Sequence, residues 1–132
     1  ILIVDDSKLV RFSLSKLFKE LGHEIVGLAE DGLIGYDMYK EYLPDLVMLD
    51  INMPNLSGLK TVEKIILDYP NAKIIMVSAM DDRTIVYECI GLGALDYLNK
   101  PFTKETLKEK ISFVLQKSIN GIANALYLLR DN

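Results

Sequence analysis

The stretch DLVMLDINMPNLSG, residues 45–58, decides the fold. Its first part, residues 45–49, is a short apolar run that predicts a buried strand. A polar loop then begins at Asp50 and ends at Gly58. A helical pattern follows from Leu59 to Tyr69, and Pro70 prevents the helix from continuing. A strand followed by a polar loop and a helix is typical of a βα unit in a parallel sheet.

The same alternation occurs five times along the chain. The predicted strands are residues 1–4, 24–29, 45–49, 73–77 and 94–98, and each precedes a predicted helix. The first helix ends before Gly22, the second lies between Asp31-Gly32 and Pro44, and the fourth covers 82–92. The fifth begins at the N-cap Thr103 and reaches at least Gln116. Because crossovers between parallel strands are right-handed, we expect an α/β fold with a doubly wound, flavodoxin-like sheet of order 2-1-3-4-5.

Composition limits what kind of protein this is. With 132 residues, half of them hydrophobic, the chain suits one domain, which we assign to residues 1–116. The net charge is −4 and no basic cluster is present, so direct binding to nucleic acid is not expected. No apolar run is long enough for a bilayer, and Cys89 has no second cysteine to pair with. We therefore expect a cytoplasmic protein without membrane attachment, and a fragment, since it starts within an apolar run at Ile1.

The last stretch, residues 117–132, is predicted to be a C-terminal helical extension or linker. Apolar residues recur there at helical spacing, although Gly121 weakens the helix. Such an apolar stripe needs a partner. Three alternatives stay open: the stripe packs on its own domain, pairs in a dimer, or begins the linker to an output domain.

Polar groups follow four of the predicted strands. Asp5 and Asp6 come after the first strand, Asp50 after the third, Ser78 after the fourth and Lys100 after the fifth. Neighbouring strands lie about 4.8 Å apart, so we expect these groups to share one pocket at the carboxyl edge of the sheet. Three carboxylates in that space repel one another unless a cation lies among them, and an open set of oxygen ligands suits Mg²⁺.

Asp50 is the best candidate for a nucleophile in this pocket. It ends a buried strand, and a lysine and a metal beside it would neutralise the oxygens of a phosphoryl group in transfer. The product would be an aspartyl phosphate, stabilised by Mg²⁺, the Lys100 ammonium and the Ser78 hydroxyl. A plainer interpretation is that Asp5, Asp6 and Ser7 only cap the first helix. Capping does not explain the matching residues on the other strands.

Four motifs carry a resemblance to a known family. They read Ile3-Val4-Asp5-Asp6-Ser7, Leu49-Asp50-Ile51-Asn52-Met53-Pro54 with Gly58, Val77-Ser78-Ala79, and Tyr97-Leu98-Asn99-Lys100-Pro101-Phe102. In this order and spacing the chain resembles the CheY-like receiver domains of two-component response regulators, over about residues 1–116. Ser78 stands where threonine is commoner in that family.

The resemblance implies a metal site and a phosphoacceptor. Asp50 would accept the phosphoryl group, and Asp5 and Asp6 would hold Mg²⁺ together with Asp50 and the backbone carbonyl of Asn52. Lys100 would contact the phosphoryl group. Asn52 and Met80 would also tune how long the phosphoryl group survives.

The resemblance also implies a conformational switch. Ser78 would bond a phosphoryl oxygen and move inward on activation, and Pro101 would follow a cis peptide bond. Tyr97 would move between exposed and buried positions, which changes the face made by the fourth helix, fifth strand and fifth helix.

The expected function is therefore a signalling switch and not an enzyme, since it would catalyse only its own phosphorylation and dephosphorylation. The implied partners are a sensor histidine kinase as phosphodonor and a downstream target or output domain. One rival is a phosphohydrolase of haloacid-dehalogenase type, but that class needs a second acid where Asn52 stands. Another is a flavodoxin-like cofactor binder, which needs a phosphate-cradling loop where Asp5-Asp6-Ser7 places carboxylates.

Overall fold

Strands and helices alternate throughout the chain, as the apolar pattern predicted. The computed structural model describes residues 1–79 and 81–115. The strands are β1 (Leu2–Val4), β2 (Gly27–Ala29), β3 (Val47–Asp50), β4 (Ile74–Ser78) and β5 (Asp96–Asn99). The helices are α1 (Lys8–Glu20), α2 (Gly32–Tyr42), α3 (Gly58–Asp68), α4 (Arg83–Leu92) and α5, which covers residues 104–115 and reaches the edge of the described range.

The five strands form one parallel sheet in the order β2-β1-β3-β4-β5, which confirms the predicted topology. β1 pairs with β2 on one side and with β3 on the other, so the direction of winding reverses at β1. In the register of the central pair, Val4 lies opposite Leu49. The residues that follow these two positions therefore emerge side by side at the carboxyl edge, where ligands of open α/β sheets bind.

Two apolar layers cover the sheet. On one face Val47 and Leu49 pack with residues of α2, α3 and α4, and on the other face Met48 packs with residues of α1 and α5. Both faces of a central strand are thus buried, which explains why β1 and β3 are continuous apolar runs without alternation.

Strand β2 is shorter than predicted. The pattern indicated residues 24–29, but only Gly27–Ala29 forms a strand. β2 is an edge strand whose single neighbour, β1, is itself three residues long. Before Gly27 the pairing continues only as hydrogen bonds of Ile1 with Glu24 and Val26, without forming a strand.

The helix ends follow local chemistry. Ser7, Asp31 and Ser57 cap α1, α2 and α3, each accepting a hydrogen bond from a backbone N–H of the first turn. Thr103 accepts from the Thr106 N–H at 3.1 Å, which confirms it as the cap of α5. The predictions for Met80, for Gln116 as a helical residue and for the extension 117–132 lie outside the described residues. Within the described ranges, the helices lack the length and apolar character that crossing a membrane requires.

Candidate functional site

Three carboxylates meet at the carboxyl edge of the two central strands. Asp5 follows β1 directly, Asp6 comes next, and Asp50 is the last residue of β3. One carboxylate oxygen of each lies within 4.8 Å of the others. Asp5 and Asp50 are buried, with 1% and 5% of their surface exposed, whereas Asp6 is exposed. The sheet therefore brings together the three acids that the sequence singled out.

Lys100 lies between two of these acids. Its Nζ is 3.3 Å from Asp5 Oδ2 and 3.3 Å from Asp50 Oδ1. Lys100 follows β5, so its side chain reaches across β4 to arrive at β1 and β3. Its backbone N–H donates to the Ser78 carbonyl at 2.8 Å, and its peptide bond to Pro101 is cis, as the resemblance implied.

Burial and mutual repulsion change the protonation of this cluster. Burial, followed by the charge of Asp5, raises the pKa of Asp50 to about 6, although Lys100 opposes the shift. Burial also raises the pKa of Asp5, even though the Ser7 N–H donates to its Oδ1 at 2.8 Å. Burial alone would lower the pKa of Lys100, but Asp5 and Asp50 together raise it. The lysine therefore stays charged, whereas burial favours the neutral form of both acids.

A divalent cation fits this arrangement. Asp5 Oδ2 is buried and accepts no hydrogen bond within the part of the chain that the structure describes. Its neighbour at 3.3 Å is the Lys100 ammonium, in an ion pair. An oxygen in this state, beside two further carboxylates of which one is open to solvent, matches the oxygen-rich and partly hydrated ligand set of Mg²⁺.

Ser78 lies at the same edge. It is the last residue of β4, its side chain is buried, and its Oγ donates to Asn99 Oδ1 at 3.4 Å.

Asn52 lies in the loop between β3 and α3, and its side chain contacts Asp82. Its Nδ2 donates to Asp82 Oδ2 at 3.4 Å, and the same oxygen accepts from the Ala79 N–H at 3.3 Å. The Asp82 carboxylate makes no hydrogen bond to the first turn of α4, at whose start it stands. Asp82 thus joins the loops after β3 and β4, a contact that sequence reasoning missed because the residue resembles an ordinary helix start.

Tyr97 is half-buried in β5. The Lys110 ammonium lies 4.5 Å from the centre of its ring and donates to Asp96 Oδ1 at 3.0 Å. Tyr97 and Ser78 both line a cavity of about 220 Å³, together with Val86 and Arg83.

Sequence reasoning missed two further residues near the site, Asp31 and Asn55. Asp31 was read only as a helix start, and it does cap α2. Its second oxygen, however, accepts from Asn55 Nδ2 at 2.8 Å. The only available signal was the run Pro54-Asn55-Leu56-Ser57, which indicates a turn but not a contact 24 residues away.

Comparison with known families and proteins gives consistent results. Residues 1–112 match the family model of the response regulator receiver domain. The protein CcdB of Bacillus subtilis is 41% identical over 115 residues, which cover 87% of this chain and 96% of CcdB. The chemotaxis protein CheY of Thermotoga maritima is 39% identical over 114 residues, covering 86% of this chain and 95% of that protein.

A solved structure gives the same result in three dimensions. The crystal structure of the CheX–CheY–BeF3–Mg complex from Borrelia burgdorferi superposes with a TM-score of 0.83 at 33% identity. The match covers 86% of this chain and 87% of that one. That complex contains Mg²⁺.

Proposed function

This chain belongs to the response regulator receiver domain family, and from that membership we propose that Asp50 accepts the phosphoryl group with Mg²⁺ beside it. Receiver domains are phosphoacceptor signalling switches and not classical enzymes. Family membership therefore removes the haloacid-dehalogenase and flavodoxin-like alternatives. The observation that supports Asp50 most directly is the Lys100 ammonium, which lies 3.3 Å from Asp50 Oδ1 at the carboxyl end of β3.

In the proposed transfer, a carboxylate oxygen of Asp50 attacks phosphorus. An O–P bond forms to Asp50 as the N–P bond of a phosphohistidine breaks, and the histidine leaves with the electron pair. With an acyl phosphate as donor, the bond that breaks is the O–P bond to the acyl group. Lys100 would stay beside the transferred oxygens and offset part of their charge, and the Ser78 hydroxyl would donate to one of them.

Mg²⁺ would be held by Asp5, Asp6, Asp50 and the Asn52 carbonyl, and would neutralise negative charge on the phosphoryl oxygens. The unsatisfied Asp5 Oδ2 and the raised pKa of Asp50 support this assignment, because a bound cation relieves both. The same residues would support a second step in which water attacks phosphorus, the O–P bond to Asp50 breaks and inorganic phosphate leaves, so the chain would catalyse its own dephosphorylation.

The proposed output is a change of surface. A phosphoryl group on Asp50 would draw Ser78 toward it, and Tyr97 would turn into the cavity that this movement enlarges. The face formed by α4, β5 and α5 would then differ between the two states. Exposed apolar residues on that face, Tyr87 and Ile90, give a partner something to contact.

Receiver domains take phosphate from histidine kinases and act on output domains, so we propose a sensor histidine kinase as donor and a downstream target or output domain as receiver of the signal. Residues 117–132 would form a helical extension or linker, with pairing in a dimer as one role. A cytoplasmic location agrees with the lone cysteine, Cys89.

Intact-mass measurement after incubation with acetyl phosphate tests the acceptor. We expect the wild-type chain to gain one phosphoryl group in the presence of Mg²⁺ and none when EDTA is added. Asp50→Asn should gain none under either condition. Asp45→Asn is the matched control, because Asp45 is exposed and lies before the opposite end of the same strand; it should label like wild type. Equal labelling of Asp50→Asn would refute the assignment.

A further inference from the structure

The Asp31 carboxylate connects two parts of the structure. Asp31 is 7% exposed and stands between β2 and α2. Its Oδ1 accepts from the Ile34 N–H at 2.9 Å, which caps α2. Its Oδ2 accepts from Asn55 Nδ2 at 2.8 Å, in the loop between β3 and α3. One buried side chain therefore ties the start of α2 to the loop that carries Asn52.

Asn55 holds an unusual backbone conformation within this loop. Its φ is 66°, in the left-handed region that asparagine adopts more readily than most residues. Two backbone hydrogen bonds of 2.7 Å flank it, from Leu56 N–H to the Pro54 carbonyl and from Gly58 N–H to the Ile51 carbonyl. The position of Asn55 therefore fixes the turn between Asn52 and α3.

The start of α2 also packs directly against this loop. A Cβ on Gly32 would lie 2.4 Å from the Leu56 carbonyl oxygen and 2.2 Å from Thr61 Oγ1. Only a glycine fits there, so α2 and the loop approach as closely as backbones allow. The start of α2 and the β3–α3 loop are thus already in contact. The hydrogen bond from Asn55 to Asp31 then fixes where the loop lies along the start of α2.

We propose that Asp31 is a positioning residue that, through Asn55, holds the β3–α3 loop so that the Asn52 carbonyl faces the metal site. This inference rests on the proposed Mg²⁺ site. Residues that orient a metal ligand without touching the metal commonly change metal affinity by about 10- to 100-fold when they are replaced. Asp31 acts on a ligand three residues from its partner Asn55, so we expect the lower end of that range.

Exchanging the side chains of residues 31 and 55 tests the hydrogen bond between them separately from the cap of α2. Asp31→Asn keeps an oxygen for the Ile34 N–H, because asparagine is as good an N-cap as aspartate, but it presents a donor to the Asn55 donor. Asn55→Asp places two carboxylates against each other. The double variant Asp31→Asn/Asn55→Asp restores one donor and one acceptor with the charge of the wild type.

Calorimetric titration of Mg²⁺, with no phosphodonor present, measures the effect. Each single variant should bind Mg²⁺ about 10-fold more weakly than wild type, and the double variant should recover most of that loss. The two single variants change the net charge in opposite directions, so weakening in both cannot arise from net charge. Asn55→Gly, which accommodates the positive φ and leaves the cap of α2 in place, should behave like the single variants.

Tyr36→Phe is the matched control. It removes another side-chain hydrogen bond that ties α2 to α3, from the Tyr36 hydroxyl to Asp68, but at a distance from the loop. It should bind Mg²⁺ like wild type, which separates positioning of the loop from a general loosening of the two helices.

The outcomes distinguish this inference from the function on which it rests. If wild type binds Mg²⁺ and the single variants bind it equally well, the positioning role is wrong and the metal site stands. If the single variants lose affinity and the double variant does not recover it, the loss does not pass through this bond, and the inference is again wrong. If wild type itself binds no Mg²⁺, the proposed metal site fails, and the inference fails with it.

Discussion

Lys100 Nζ lies 3.3 Å from Asp50 Oδ1, although β4 separates β3, which ends at Asp50, from β5, which Lys100 follows. The same ammonium lies 3.3 Å from Asp5 Oδ2. Among the described residues, no other lysine or arginine lies within ion-pair distance of these carboxylates. Without a metal, Lys100 is therefore the main counter-charge that keeps two buried acids next to each other.

Replacement of Lys100 by glutamine should raise the pKa of Asp50 above its value of about 6 in the metal-free chain. The reason is that a neighbouring positive charge favours the ionised carboxylate, and its loss leaves burial and Asp5 unopposed. Carboxyl-carbon NMR titration of wild type and Lys100→Gln, with Asp50→Asn to assign the resonance, measures the shift.

Lys104→Gln serves as the control for this experiment. Lys104 pairs with Glu20 at 3.5 Å on the exposed surface, four residues further along the chain. Its replacement removes the same charge but should leave the Asp50 titration unchanged. An Asp50 resonance that titrates at the same pH in wild type and Lys100→Gln would contradict the assigned role of the lysine.

The raised pKa of Asp50 predicts how stability depends on pH. The folded pKa is about 6, and a carboxyl group in the unfolded chain has a pKa of about 3.9, so the folded chain binds this proton more tightly. The contribution of Asp50 to the free energy of unfolding is therefore most favourable below about pH 4. It decreases as pH rises to about 6 and is constant above that.

Urea denaturation in EDTA of wild type and Asp50→Asn between pH 4 and 7.5 tests this sign. The variant should gain stability relative to wild type as pH rises through that window. The difference in free energy of unfolding between the two chains cancels the contribution of Asp31. The Ile34 N–H lowers the pKa of Asp31, so this residue changes stability with pH in the opposite direction. A difference that does not change with pH would show that Asp50 does not carry the shift.

The central part of the fold and site could be predicted because two simple rules coincide there. β1 and β3 are buried on both faces, so their sequences are apolar runs that could be found without ambiguity. The rule that ligands lie at the carboxyl ends of parallel strands then placed Asp5, Asp50 and Lys100 together. Both rules depend only on neighbours along the chain and on the order of strands.

Contacts between loops could not be predicted in the same way. Asp31 and Asp82 both stand at helix starts, where an acid needs no further explanation. Which oxygen contacts Asn55 or Asn52 depends on how two loops approach in space, and sequence spacing does not encode that. The predicted start of β2 was wrong for a related reason, since the extent of an edge strand depends on its single neighbour as well as on its own residues.

Gly58→Ala should strongly destabilise the chain. A Cβ at this position would lie 2.3 Å from the Asp50 carbonyl oxygen and 2.6 Å from Ile51 Cα, and backbone atoms cannot turn aside as a side chain can. Overpacking of this kind costs about 1–3 kcal/mol and occasionally more, and we expect the upper end. Urea denaturation at pH 7 measures the change.

Gly91→Ala is the matched control for that substitution. Gly91 lies in α4, and a Cβ there would meet nothing within 4 Å. Since alanine is the better helix former, this variant should gain up to about 1 kcal/mol. Equal losses in the two variants would mean that the close approach at Gly58 is not the cause.

Lys110→Gln should increase the fraction of molecules in which the Tyr97 ring points inward. The Lys110 ammonium lies 4.5 Å from the ring centre, over a ring that is half-buried beside a cavity of about 220 Å³. An ammonium over an aromatic ring at an exposed site contributes about 0.5–1 kcal/mol, so its loss should shift the equilibrium about two- to fivefold. Fluorine NMR of the chain labelled with 3-fluorotyrosine, with Tyr97→Phe to assign the resonance, measures the two populations.

Lys64→Gln is the control, because Lys64 lies 4.4 Å from the Tyr36 ring and its loss should move the Tyr36 resonance alone. If the Tyr97 resonance is the same in wild type and Lys110→Gln, the lysine does not hold the ring outward, and the position of Tyr97 must be set from within the cavity.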